Sequence, residues 1–91
     1  MKFEWDPQKA DSNLKKHGVS FQEAASVLGD TLSITYPDPD HSARERRFIT
    51  VGTSQLGRVL IVTHTDRRGN VRIISARKTT QQERRYYEEG K

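Results

Sequence analysis

Apolar residues in this chain recur at two periods, and the switches between them divide it into elements. In Lys2–Trp5 aromatic and charged residues alternate, which predicts a short strand with Phe3 and Trp5 on one face. Asp6-Pro7 then starts a helix: an aspartate at the N-cap accepts from first-turn N–H groups, and proline at N1 loses no donor the helix needs. That helix runs Pro7–His17 on a narrow stripe around Ala10 and Leu14, and Gly18 ends it as a left-handed cap. Ser20 with Glu23 predicts a capping box for a second helix, buried through Phe21, Ala24, Ala25 and Leu28. Period two returns in Leu32–Tyr36, with Leu32, Ile34 and Tyr36 on one side, and stops at Pro37–Ser42. Phe48–Gly52, Val59–Thr65 and Val71–Ser75 are the remaining strands. The links are Thr53–Gly57 and Asp66–Asn70, where Gly69 and Asn70 tolerate positive φ. Thr80 with Glu83 opens a last helix, Gln81–Glu89, whose adjacent Tyr86 and Tyr87 lie roughly 100° apart and cannot be equally buried.

The order β-α-α-β-β-β-β-α predicts one α+β domain over residues 1–91. Its antiparallel four-stranded central sheet, plus the short N-terminal strand, carries two N-terminal helices and one C-terminal helix. With 91 residues, 32% of them hydrophobic, the core must be thin. The absence of cysteine removes disulfides and thiolate metal sites and suits a reducing, cytoplasmic setting. The longest aliphatic run, Val59–Val62, is far too short to span a membrane, and Met1–Trp5 lacks the apolar stretch of a signal peptide.

Charge changes the picture more. Residues 1–37 carry net −1, whereas residues 38–91 carry net +5, with ten arginines among their basic side chains. Arginine's planar fork suits bidentate phosphate contacts. The arginines cluster on the hairpin from Arg58 to Arg77, at Arg58, Arg67, Arg68, Arg72 and Arg77, with His64 between them. Phosphate is the favoured counter-charge, and a merely solvated surface is the alternative. No cofactor is expected. Asp38, Asp40 and His41 allow a metal site on paper, but a surface turn explains them better.

Metal-free RNA cleavage needs a base for the 2′-OH, cations for the phosphate and an acid for the leaving oxygen. Glu83 or a histidine can serve as base. Arg67 and Arg77 can clamp phosphate, and Tyr86, Tyr87 or His64 can donate a proton or stack on a base. His17 is equally explained as a cap on the last carbonyls of its helix, and His64 as a core-edge residue. The same side chains would also make a non-catalytic RNA-binding or partner-binding face, or a structural subunit docking an acidic partner.

Several motifs in order resemble the BrnT family of bacterial type II toxins. They are Phe3-Glu4-Trp5-Asp6, Asn13 with Lys16-His17-Gly18-Val19-Ser20-Phe21, Asp30, Arg47-Phe48-Ile49, Gly52, Gly57-Arg58, Thr65 with Arg67, Arg72–Arg77, and Glu83 with Tyr87. The resemblance implies a RelE-like fold and an endoribonuclease that halts translation. It also implies neutralisation by a BrnA-type antitoxin with a ribbon-helix-helix, through which alone the pair would reach operator DNA. Carried over by position, it implies catalytic roles for Arg67, Arg77, Glu83, Tyr86, Tyr87 and His64. RNA or phosphate contacts fall to Arg58, Arg68, Arg72, Lys16 and His17.

Overall fold

The structure, a computed structural model, describes residues 2–39 and 45–90. Its elements are β1 (Phe3–Glu4), α1 (Pro7–His17), α2 (Phe21–Val27), β2 (Ile34–Pro37), β3 (Arg47–Thr53), β4 (Val59–Arg67), β5 (Asn70–Lys78) and α3 (Gln81–Glu89). Local chemistry sets the helix ends as the sequence predicts. Asp6 accepts from the Gln8 N–H at 2.8 Å, Pro7 opens α1, and Gly18 closes it at φ +69°. At α3 both halves of the Thr80–Glu83 capping box form. At α2 only one half does: Ser20 accepts from the Glu23 N–H, while the Glu23 carboxylate turns away to Ser54 and Arg58.

The sheet differs from the expected one at its edge. The four predicted strands do pair in antiparallel fashion, but β1 joins them, parallel to β5 through Phe3–Val71 and Glu4–Arg72. The result is one five-stranded mixed sheet in the order β1-β5-β4-β3-β2. α1 and α2 carry the chain from β1 to β2 at the opposite edge of the sheet, and β1 pairs instead with the strand farthest from it in sequence. The β4–β5 link is also tighter than five residues. Arg67 pairs with Asn70, leaving Arg68 (φ +53°) and Gly69 (φ +82°) as a two-residue turn of the kind that matches strand twist. Asn70, expected in the turn, sits in the strand. In α2, Val27 rather than Leu28 completes the buried face with Phe21 and Ala24. Asp40 and His41 of the considered metal turn lie outside the described residues.

β1 covers only the first part of β5. Beyond it α1 takes over the edge through one side chain: the Asn13 amide donates to Ala76 O (2.8 Å) and Val19 O (3.0 Å), and its oxygen accepts from the Ala76 N–H (3.1 Å). Asn13 thus completes the ladder as a missing strand would and ties the α1–α2 link to it. α1 and α2 close one sheet face over Val19, Phe21, Ala24, Val27, Leu60, Val62, Ile73 and Ala76, with Trp5 edge-on to Phe21 at 5.9 Å. Gly52 faces this side, where an added Cβ would stand 2.8 Å from Ser33 Cβ and 3.1 Å from Val27 Cγ1. Glycine is required there by the close approach of the α2–β2 link.

Candidate active site

Strand alternation decides which side chains meet on the other face. Register places Ile34, Val51, Ile61 and Arg77 in one row across four strands. A second row runs Tyr36, Ile49, Thr63 and Ser75, and a third Arg47, Thr65 and Arg72. α3 covers part of this face, anchored by Tyr87, which packs with Val51, Val59 and Ile61. The Tyr87 hydroxyl donates to Leu32 O at 3.2 Å and contacts Asp30 Oδ2 at 3.4 Å. Between α3 and the sheet lies a groove of ≈ 650 Å³, lined chiefly by Ile34, Tyr36, Ile61, Gln82, Glu83 and Tyr86. Tyr86 is 80% exposed and Tyr87 6%, which resolves the adjacent-tyrosine problem into one free ring and one anchor.

Arg77 stands beside the groove, joined to it through the lining residue Glu83. Its two terminal nitrogens grip the Glu83 carboxylate at 2.8 and 2.9 Å. The Glu83 oxygen also accepts from the Thr80 N–H at 2.8 Å. The Arg77 guanidinium first, and the Thr80 amide after it, hold the Glu83 carboxyl down at about 2 against the opposing pull of burial. Arg77 is correspondingly raised, by Glu83 first and more weakly by the nearby Tyr36 phenol. A carboxylate this acidic is a weak base as long as Arg77 holds it.

Of the six residues expected to be catalytic, the fold therefore brings together Arg77, Glu83 and Tyr86, with Tyr87 beneath them. It does not bring Arg67 or His64 to them. Arg67 lies six residues from Ile61, the register partner of Arg77, which is about 20 Å along the strand. It faces Glu45 at 3.8 Å. His64 points to the opposite face, 8% exposed, stacked on Phe48 at 5.9 Å and hydrogen-bonded through Nε2 to Thr50 Oγ1 at 2.8 Å. Thr50 in turn bonds Thr35 at 2.7 Å. Burial lowers the His64 pKa, against a weaker opposing pull from Asp66, and Nδ1 has no hydrogen-bond partner among the described residues.

The expected phosphate contacts separate in the same way. Arg58 pairs with the buried Glu23, donates to Gly18 O at 3.0 Å, and so braces the α1–α2 link; it is raised, and Glu23 lowered, by that pair. Arg72 bonds Glu4 at 2.8 Å across β1 and β5 and lowers its pKa. Arg68 makes no ion pair among the described residues and stands at the hairpin tip. Lys16 and His17 line a separate cleft beside α1. The sequence alone gives no site role to Ile34, Tyr36, Gln82 or Ser75. The alternation of Ile34 with Tyr36 was legible, but only the strand order shows that their side stays open. Among the described residues no three His, Cys, Asp or Glu side chains gather as metal ligands.

The open sheet face thus presents an arginine–carboxylate pair and an exposed tyrosine beside a short polar helix. Residues 5–83 match the family described as the ribonuclease toxin, BrnT, of type II toxin–antitoxin systems, and the chain belongs to that family. The fold is shared with the Brucella abortus ribonuclease toxin, BrnT, known from a 1.1 Å crystal structure. The TM-score is 0.71 and the identity 24%, over 89% of this chain and 99% of that one. No curated protein sequence matches the chain. No helix among the described residues is long and apolar enough to cross a membrane.

Proposed function

We propose that this chain is a metal-independent endoribonuclease whose reaction takes place in the α3 groove. The observation that carries the reading is the bidentate Arg77–Glu83 pair at the mouth of an aromatic groove, in a member of a ribonuclease toxin family. An RNA phosphate has the same forked geometry as a carboxylate and competes with Glu83 for Arg77. Once displaced, Glu83 loses the cation that depresses its pKa and becomes a stronger base. It takes the proton of the 2′-OH while that oxygen bonds to phosphorus. The bond to the 5′-oxygen breaks, and the Tyr86 hydroxyl protonates the leaving oxygen, giving a 2′,3′-cyclic phosphate and a 5′-OH.

Tyr87 positions α3 in this scheme, and Arg67, Arg68 and Arg72 contact the RNA away from the reacting phosphate. His64 supports the core behind the sheet and Arg58 the α1–α2 link. Cleavage would halt translation in the cytoplasm until a BrnA-type antitoxin covers the site, and the pair would reach operator DNA only through the antitoxin's ribbon-helix-helix. The RelE-like relationship is part of the same proposal.

Incubating the purified protein with single-stranded RNA in EDTA tests the mechanism. Fragments ending in 2′,3′-cyclic phosphate are the expected products. Cleavage that appears only on adding a divalent metal contradicts the metal-free route. Binding without cleavage favours the second reading, a non-catalytic RNA-binding or partner-binding module, which the strongly acidic Glu83 in the unliganded site supports.

A further inference from the structure

Most of the described arginines in the second half of the sequence face a glutamate, largely at the surface, and Arg47 and Arg67 share Glu45. Arg47, Arg58, Arg67, Arg72, Arg77 and Arg84 each face a glutamate. The lysines of α1, in the acidic half, behave differently. Lys15 pairs with Asp11 at 3.2 Å, but Lys9 and Lys16 make no ion pair among the described residues. Seven residues apart, they share one helix face with Ser12 between them. Together with Gln8, His17, Ile74 and Ser75 these residues line a cleft of ≈ 450 Å³ between α1 and β5. Asp6 also lines it, with one oxygen engaged in capping α1.

Register ties this cleft to the groove. Ser75 ends the row that begins at Tyr36, as Arg77 ends the row that begins at Ile34. Ser75 and Arg77 are therefore neighbours on the open face, two strand residues or about 7 Å apart. Between them the Tyr36 row carries only the half-buried Ile49 and Thr63, so no charge interrupts the path. Asn13 fixes the cleft's depth, because its amide holds α1 against the β5 edge at Ala76.

We propose that the α1–β5 cleft is a second phosphate-binding subsite. It holds the backbone of the RNA beside the phosphate at Arg77, with Lys9 and Lys16 as the charges and Ser12 and Ser75 as hydroxyl donors. The inference rests on the ribonuclease reading of the groove and extends it to a polyanion track that leaves α3, follows β5 and ends at α1. Lysines suit such a track, since a point charge on a flexible stem follows a phosphate without fixing its orientation.

The test is the salt dependence of binding a 2′-O-methylated single-stranded RNA, which this mechanism cannot cut. Each phosphate contact contributes about 0.7 to the slope of log affinity against log salt. Lys9→Gln with Lys16→Gln in the full chain lowers that slope by about 1.4, with an unchanged melting temperature. Lys15→Gln, which removes a lysine outside the cleft, leaves it unchanged. An unchanged slope in the double variant, or an equal fall in Lys15→Gln, overturns the subsite. So does a double variant that binds RNA normally and loses only an acidic antitoxin segment. Cleavage of unmodified RNA by the unaltered chain is followed separately: its absence contradicts the ribonuclease reading, whereas the salt slope reports on the cleft.

Discussion

Leu60 and Ile61 are neighbours in β4, yet they belong to two differently built regions. Leu60 is fully buried beneath α1 and α2, among side chains that close their sheet face completely. Ile61 is half-buried on the other face, at the floor of a groove that α3 covers with one anchoring ring. The same strand thus serves a closed face that supplies the stability and an open face that leaves an arginine, a carboxylate and two tyrosines beside solvent. A thin core can support only one closed face, and the surface left over is where a ligand can enter.

Truncation breaks this comparison most directly. Leu60→Ala should cost about 4 kcal/mol in urea unfolding, as a buried leucine does, and Ile61→Ala about 1 kcal/mol. Equal costs would mean that the α3 face is as well packed as the other. Next in size is Asn13→Ala, which strands the Ala76 N–H and the Val19 carbonyl in the interior and should cost about 3 kcal/mol. Hydrogen exchange should show Ala76 losing its protection first, and an Ala76 amide as protected as before would contradict the strand-like role of Asn13.

The smallest effect is electrostatic and sharpens the open side. Glu83 has a folded pKa below its ordinary 4.5, so its ion pair adds stability that is complete above pH 4.5 and lost as pH falls toward about 2. Both side chains are more than a third exposed, so solvent limits the contribution to about 0.5 kcal/mol. Between those pH values α3 should loosen and the Tyr87 ring signals should broaden in NMR spectra before the core responds. Glu83→Gln should remove that step, and an acid transition identical in both proteins would deny the pair its role at α3.

How much of this was legible in the sequence depends on the range of the interaction concerned. Asp6-Pro7, Gly18 and the Thr80–Glu83 box set helix ends through contacts within a few residues, and α1 and α3 have the predicted bounds. The parallel docking of β1 was not legible, because the Phe3–Val71 and Glu4–Arg72 pairings span the whole chain. The family resemblance and the Arg77–Glu83 pairing were open to reading, since six residues separate the two side chains. The separation of Arg67 and His64 from that pair was legible only in part, His64 being open to reading as a core-edge residue. Arg67 is removed by strand length, and His64 by a one-residue difference in phase that sends it to the helix-covered face. The arginine bias was readable only as a total for a related reason: composition counts charges but does not show which of them face glutamates.

The central claim, that chemistry belongs to Arg77 and not to the arginine at the far end of the sheet face, is tested by RNA cleavage rates for Arg77→Ala and Arg67→Ala beside the unaltered chain. Arg77→Ala should fall by at least about 100-fold, the loss expected when one donor to a developing oxyanion is removed, with its fold intact by circular dichroism. Arg67→Ala should fall by less than about tenfold. Equal rates in all three proteins, or a greater loss in Arg67→Ala, would contradict the placement of the active site at α3.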